Sequence, residues 1–571
     1  MPAEPGQDSG EPANPVVAYL SRLIAAALAD HDGGRLAAAE AKFATLLVAV
    51  PVHPGGVLNI GFLRLRQGDP LQAARWLRRA LVLQDQTIAI DGLATALLRL
   101  GRHAEVVALL RPAVTRPDAP MEMVLRLAAA LRETGAPAEA VECLAAASRR
   151  HPDAPALWHD LTVALLLHGD DARALDSCRR QLRLRPDDAH GLSNLGSLLR
   201  RQGELQAART AHRRATRLDP ALGLAHYNLG LAERELGAWA AAEAALRQAV
   251  AIDPMHESAH VHLSQLLLLQ GKFAEGWREF DWRRNYRNFR QSLEGTGQTL
   301  WDGRSLPGQP LMVAVEGGFG DLLQFARYLP TLRRRVGRID LVCRPGTAGL
   351  LAHSFGQDGI VYDPPRDDRR GHMTMLLSLP HLLGEARATP DIQHPYLQAP
   401  PDAVQRWRQR LAALPGLRVG LCWAGSDGGE RGDRSIPLAD FSAVLAVPGV
   451  SFVALQFGPA KAQLATVAAP PLDWTGDLVD FSESAGLVSG LDLVITVDTA
   501  AVHLAGGLGV PTWCLISAAP DFRWLLGRED TPLYPSVRLF RQSEIGDWTG
   551  PLRRVVTELG RLTGGHASAP R

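Results

Sequence analysis

At 571 residues the chain is long enough for several domains, and 46 % hydrophobic against 21 % charged residues is the balance of a folded protein, which excludes bulk disorder. Lys+Arg 61 against Asp+Glu 60 leaves a formal net charge of +1, so the basic excess of a duplex-binding protein is missing and no nucleic acid partner is expected. Cys143, Cys178, Cys343, Cys422 and Cys514 lie far apart without C-x-x-C spacing. That pattern argues against a zinc site or a redox motif and fits a reducing compartment.

The first residues, 1–17, are rich in Pro, Gly, Glu and Asp and read as a disordered tail without the basic and apolar regions of a signal peptide. No uninterrupted apolar run reaches about 20 residues, so no membrane span is expected and the cytoplasm is the expected location.

A repeat comes next. Gly34, Gly68, Gly101, Gly135, Gly169, Gly203, Gly237 and Gly271 recur every 34 residues, with one step of 33. A small residue stands seven positions before most of them, as at Ala27, Gly61, Ala94, Ala128, Gly196, Gly230 and Ser264. Another stands five positions after: Ala39, Ala73, Ala140, Ala174, Ala208, Ala242 and Gly276. Pro152, Pro186, Pro220 and Pro254 close four of the units. Each unit reads as helix, glycine turn and helix, the small residues letting the two helices cross closely. This grid resembles the tetratricopeptide repeat, with about eight copies over residues 18–288. A solenoid of this kind implies an extended concave face suited to a protein or peptide, and a body able to fold on its own. Asn59, Asn194 and Asn228 share one repeat position and are candidate peptide-binding amides, against the alternative that Asn is simply common at this position of the repeat.

Beyond the eighth repeat an aromatic helical segment, Gly276 to Trp282, is expected to pack on the C-terminal half of the chain through Trp277, Phe280 and Trp282. Residues 289–308 read as a connector, polar over Arg287 to Thr299. From Leu311 short apolar runs alternate with amphipathic segments, the mark of βαβ units on parallel sheets. Strands are expected at Leu311–Val315, Ile339–Cys343, Gly359–Tyr362, Met373–Leu377, Arg418–Trp423, Ser451–Leu455, Leu493–Val497 and Thr512–Ile516. A helix over 402–414 separates two doubly wound halves, 309–401 and 402–571.

Three segments carry chemistry. Glu316-Gly317-Gly318-Phe319-Gly320-Asp321 follows the first strand and presents one carboxylate, Asp321, at a Gly-rich turn; it matches neither the dinucleotide fingerprint nor a P-loop. Asp321 could equally serve as a helix cap. Asp498-Thr499-Ala500-Ala501-Val502-His503 runs from a buried strand into a small-residue helix, whose amides and dipole favour an anion such as a diphosphate. Arg434 and Ser435 follow a further strand, where an arginine can neutralise phosphate charge.

Taken together, these segments over residues 311–565 resemble the family 9 glycosyltransferases, the group that includes the lipopolysaccharide heptosyltransferases. The whole arrangement, with Asp521 to Gly527, looks like bacterial tetratricopeptide-repeat proteins carrying that domain. The resemblance implies a glycosyltransferase-B fold of two Rossmann-like halves, with the acceptor on the first and a nucleotide diphosphate sugar on the second. It implies Asp321 as general base, Asp498 as a contact to the donor sugar, and Arg434, Ser435 and Thr499 to His503 on the diphosphate. Ala500 stands where the family often has Gly, and Arg434 where it has Lys. The resemblance implies inverting transfer, with no cofactor expected; no Asp-x-Asp pair occurs in 287–571, which argues against a metal-held diphosphate. A repeat scaffold on a degenerate transferase fold, or a hydrolase or epimerase on a similar fold, remain alternatives.

Overall fold

The computed structural model describes residues 15–84, 87–116, 119–285, 297–357, 360–361, 371–390, 394–425 and 434–566. Most of the expected tail and the segment 286–296 therefore lie outside the described residues. The chain divides into two compact units, Met1–Asn228 and Leu229–Arg571. The division falls inside the span expected for the solenoid, so the last repeats belong to the same unit as the sheets.

The repeat grid holds along the whole of Pro15–Phe280, as helix pairs from Pro15–Asp32 and Leu36–Ala49 to Glu257–Leu269 and Phe273–Phe280. All eight turn glycines adopt φ between 69° and 86°, a conformation that costs any other L-residue strain. The small residues are needed for close approach. A Cβ at Gly61 would lie 2.6 Å from Leu77, at Gly196 2.6 Å from His212, and at Gly230 2.6 Å from Leu246. The positions opposite these small residues form a buried series: Phe43, Leu77, Leu110, Leu144, Cys178, His212, Leu246 and Phe280. His212 alone in that series is ionisable near neutral pH. It is fully buried and neither ring nitrogen has a hydrogen-bond partner.

In the second unit the repeats end in an aromatic plug. Trp277 meets Phe280, Phe325 and Phe522 edge-on at 5.7, 5.9 and 5.9 Å between ring centroids. Trp282 departs from the expectation: it stacks on His260 at 4.2 Å, back against the preceding repeat helix. Arg283 and Arg284, in the turn Asp281–Asn285, fasten this end to the first sheet. Arg283 donates to Glu316 at 2.6 Å and Ser378 at 3.0 Å, and Arg284 donates to the Trp301 carbonyl at 2.8 Å.

Two five-stranded sheets complete the unit, both wholly parallel. The first comprises β1 (Gln298–Leu300), β2 (Leu306–Ala314), β3 (Val336–Val342), β4 (Ile360–Val361) and β5 (Gly371–Met375), in the order β1-β5-β2-β3-β4. The second comprises β6 (Leu417–Cys422), β7 (Val450–Ala454), β8 (Leu493–Val497), β9 (Thr512–Ile516) and β10 (Val537–Arg541), in the order β10-β9-β8-β6-β7. The helix Pro401–Leu411 stands between them in sequence. β8 and β9 fall where expected; β2, β3, β5, β6 and β7 are displaced by one to five residues. The expected strand Gly359–Tyr362 is described only at Ile360–Val361. β1 and β10 were not anticipated, and β1 overturns the reading of 298–300 as connector. A three-residue strand leaves little periodic signal, and it forms because the Trp301 amide continues the pairing onto Met373 O at 2.8 Å.

Burial holds the His212 imidazole down to about 4, with Arg200 acting in the same direction. The unfolded chain binds this proton near pH 6.5, so stability is fully present above that pH and is lost as pH falls toward 4. The loss attributable to His212 is about 3 kcal/mol. His212→Leu places at this position the residue that Leu77 and Leu246 already are. Denaturant titration of helical signal from pH 4 to 7 is expected to show a flatter pH dependence for the variant than for wild type. Parallel curves would contradict this assignment.

Candidate functional site

The two sheets meet where their strands' carboxyl ends carry the chemistry-bearing segments. β2 runs into the turn Gly317–Gly318 and the helix Phe319–Phe325. β8 runs into Asp498, Thr499 and the helix Ala500–Gly507. The two helices pack together with almost no space to spare: a Cβ at Gly320 would lie 2.8 Å from His503 Cδ2. A glycine at 320 thus lets one half touch the other.

Asp321 is the third residue of its helix, not the cap, and both its oxygens are engaged. Oδ2 accepts from the Gly318 amide at 2.7 Å, and Oδ1 pairs with the Arg523 guanidinium. Arg523, from the loop after β9, also donates to Asp521 at 2.9 Å and pairs with the Gln324 side chain. Burial works against its charge, but Asp521, Asp321 and Asp498 outweigh it and hold the guanidinium charged. Asp498 keeps partial solvent access. Burial and the Asp521 carboxylate push its carboxyl above the ordinary value, against the pull of Arg523 and Arg434. Asp321, Asp498, Asp521, Arg523 and Arg434 are therefore one electrostatic cluster built from both halves.

Glu316, the other carboxylate of the first turn, is taken by Arg283. Its place is structural: it holds the repeat end on the first sheet. Arg344, at the end of β3, donates to the Gly317 carbonyl at 2.6 Å and lies 5.6 Å from the Phe319 ring, bracing the turn from outside.

The second half positions its residues by buried hydrogen bonds. Gln456, 3 % exposed, accepts from the amides of Trp423 and Ala424 at 3.0 and 2.8 Å and donates to the carbonyls of Ala424 and Phe457 at 3.1 and 2.9 Å. It thereby fixes the loop after β6. Ser435 Oγ accepts from the Gly425 amide at 3.1 Å. The Arg434 side chain lies over Gly425, where a Cβ would stand 2.9 Å from its Nε. The Ser426 to Asp433 part of this motif lies outside the described residues. Thr499 caps its helix, accepting from the Ala501 amide at 3.3 Å and exchanging a hydrogen bond with Thr496 Oγ1 at 3.2 Å. The Val502 amide donates to Thr499 O at 3.2 Å. Two amides expected to be open for an anion are thus engaged within the turn itself.

Behind His503 lies a polar network with no sequence signature. Arg327 is 1 % exposed and has no carboxylate partner among the described residues. It sits 4.8 Å from the Tyr396 ring and 4.6 Å from the Tyr534 ring, and donates to Leu533 O at 2.9 Å and to Tyr396 Oη at 3.2 Å. The cation is held by ring faces and carbonyl dipoles rather than by an ion pair. Tyr396 Oη donates to Leu323 O at 2.9 Å, so its own hydrogen is committed. Tyr534 Oη then has one good acceptor, His503 Nδ1 at 2.8 Å, against 3.5 Å to Tyr396 Oη. Burial lifts Tyr534 well above the ordinary tyrosine value, so it keeps its proton. Burial, Arg523 and Arg327 hold His503 well below its ordinary value, so the ring is neutral and carries one hydrogen. With Nδ1 accepting, that hydrogen is on Nε2, on the ring edge that faces Gly320.

The amide candidates of the repeats lie in the first unit. Asn59 donates to Gly55 O of its own helix at 2.8 Å, and Asn228 donates to Ser193 Oγ at 3.2 Å. Asn194 Nδ2 is buried without a partner. Among the described residues no group of three or more His, Cys, Asp or Glu is arranged to hold a metal ion. No helix among them is long and apolar enough to cross a membrane.

A family model for the tetratricopeptide repeat matches residues 125–189 and 193–257. Protein FlbA of Caulobacter vibrioides is 31 % identical over 331 residues, which are 52 % of this chain and 54 % of that protein. The chain thus spans about half the length of this curated relative. Among solved structures, the Cut9–Hcn1 hetero-tetramer of APC/C is similar at 19 % identity and a TM-score of 0.35, over 42 % of this chain and 48 % of that one. A tetratricopeptide repeat protein from Parabacteroides merdae is similar at 13 % identity and a TM-score of 0.37, over 43 % and 98 %. MamA is similar at 21 % identity and a TM-score of 0.26, over 29 % and 97 %. The chain carries tetratricopeptide repeats, followed by a region of parallel sheets.

Tyr534→Phe removes the hydrogen that fixes the His503 tautomer. Nitrogen-15 spectra of histidine-labelled protein are expected to show neutral His503 as the Nε2–H form in wild type and a mixture with Nδ1–H in the variant. The buried Nδ1 loses its donor, at a cost of about 1–3 kcal/mol to the second unit. A wild-type Nδ1–H form would contradict the network as drawn.

Proposed function

We propose that the second unit is a glycosyltransferase that moves a sugar from a nucleotide diphosphate to a hydroxyl acceptor, and that the repeats hold a protein partner or the acceptor itself. The observation that carries this reading is the charged cluster at the seam. It draws Asp321 from one parallel-sheet half and Asp498, Arg523 and Arg434 from the other, as the glycosyltransferase-B architecture requires of a site between two Rossmann-like halves. Ligands of open parallel sheets bind at the carboxyl ends of the strands, and all four residues stand there.

In this reading Arg434, Ser435 and the Thr499 to His503 turn take the diphosphate, and Asp498 contacts the donor sugar. Ala500 and Ala501 leave the phosphate side of that turn free of bulk. Gly317, Gly318 and Gly320 shape the acceptor side. Asp321 takes the proton of the acceptor hydroxyl as its oxygen attacks the anomeric carbon from the face opposite the leaving group. The bond from that carbon to the diphosphate oxygen breaks, and the diphosphate departs with the bonding electrons. Arg434 and Arg523 stabilise the charge that develops on it. Because Arg523 pairs with Asp321, an incoming phosphate that draws Arg523 away also frees the base. Donor binding and base release are then one event.

A second reading is favoured by the same pairing: with both Asp321 oxygens engaged, the fold also suits a scaffold that has lost catalysis. Nucleoside diphosphates separate the two. Under the first reading at least one of UDP, GDP, CDP or ADP raises the melting temperature of the second unit. Asp321→Asn then retains that shift while sugar transfer falls by about 10²–10⁴-fold. No shift with any of the four favours the scaffold.

A further inference from the structure

In the first unit a cavity of about 480 Å³ opens between the helices Pro137–Arg150, Pro155–His168 and Asp171–Leu184. Arg149, Arg173, Arg180 and Arg183 line it, against one carboxylate, Asp176. Arg173 leans on Asp170 at 3.4 Å, but Arg149, Arg180 and Arg183 make no ion pair among the described residues. The floor is apolar: Trp158, Leu161 and Leu165. Trp158 has given its N–H to Pro152 O at 2.7 Å, and the Arg180 guanidinium lies over its ring at 5.9 Å.

The repeat grid sets this charge apart. At three of the seven repeat junctions an arginine ten residues after the turn glycine pairs with a glutamate four residues after the next one. Arg78 pairs with Glu105 at 2.6 Å, Arg111 with Glu139 at 2.7 Å, and Arg247 pairs with Glu275. At this cleft the arginine position is Ala145 and the glutamate position is Arg173. The position that carries the glutamate of those three pairs thus carries a cation here, beside three more. Mutual repulsion of neighbouring guanidinium groups opposes folding, and a single lining carboxylate, Asp176, does not offset four of them.

We propose that this cleft binds an acidic polypeptide segment carrying an apolar side chain. Arg173 and Arg183 lie ten residues apart on one helix, about 15 Å along its axis. That spread exceeds a single phosphate and matches several carboxylates along an extended chain. Guanidinium forks take carboxylates bidentately, and Leu161 and Leu165, beside the edge of the Trp158 ring, receive the apolar residue. The inference rests on the repeats being a protein-binding scaffold and is independent of any sugar transfer.

The probe is an acetylated, amidated hexapeptide of sequence Glu-Glu-Leu-Glu-Glu-Leu, titrated into the full chain, with its Gln-for-Glu counterpart and a four-residue oligothymidylate as controls. The expected result is binding of the acidic peptide alone, weakening with salt. Arg149→Glu with Arg183→Glu lowers its affinity at least about tenfold, while the melting temperature of the first unit stays level or rises, which loss of a structural contact would not do. Should the double variant fail to fold, Arg183→Gln with the same pair of readouts gives the same test. Tighter binding of the oligothymidylate, equal affinity in the variants, or no binding of the acidic peptide overturns the proposal.

Discussion

One guanidinium organises the second unit. Arg523 leaves the loop after β9, crosses to the other half and pairs with Asp321, while Asp521 and Gln324 hold it from either side. Burying a cation between two domains is costly unless its hydrogen bonds and charge are met, and here three carboxylates meet it. Much of the rest is arranged around that contact. Gly320 has no side chain, so the helices can close to the distance that the pair requires. Arg327 pins the same two halves a turn away without a carboxylate of its own. The Trp277–Phe325–Phe522 plug brings the repeat end onto the loop that carries Arg523. The arrangement places acid–base groups from both sheets within reach of one another, which is the precondition for chemistry at their seam.

The solenoid was legible because its determinants are local. A positive-φ glycine and two small residues recur at fixed spacing, and each states its own requirement without reference to distant parts of the chain. Parallel sheets were legible for a related reason, since buried strands such as Leu493–Val497 and Thr512–Ile516 are continuous apolar runs. Contacts across the fold were not legible. Asp321 meets Arg523 over 202 residues, and Arg327 meets Leu533 over 206. Arg523 stood in a segment noted for its family likeness, but nothing beside it marks it as a partner of Asp321. Tyr534, Arg327 and Gln456 carry no motif at all. The nearest sequence signal was negative: a tyrosine or arginine among residues that read as core.

One departure has a plain cause. Trp282 reads as facing the sheets with Trp277 and Phe280. Residue type says that such an aromatic is engaged, but not with which partner. Trp282 lies on the flat face of His260. The same limit applies to His212, whose place in a row of buried apolar residues is visible only once Gly196 is seen against it.

The central claim is that Asp321 and Arg523 act as one unit across the seam. A double-mutant cycle on the stability of the second unit, with Asp321→Asn, Arg523→Gln and both together, measures that directly. The account predicts a coupling of about 1–3 kcal/mol, the range for residues joined in one buried network. Coupling indistinguishable from zero would mean that the two side chains are neighbours without being partners, and the cluster would lose its organising contact.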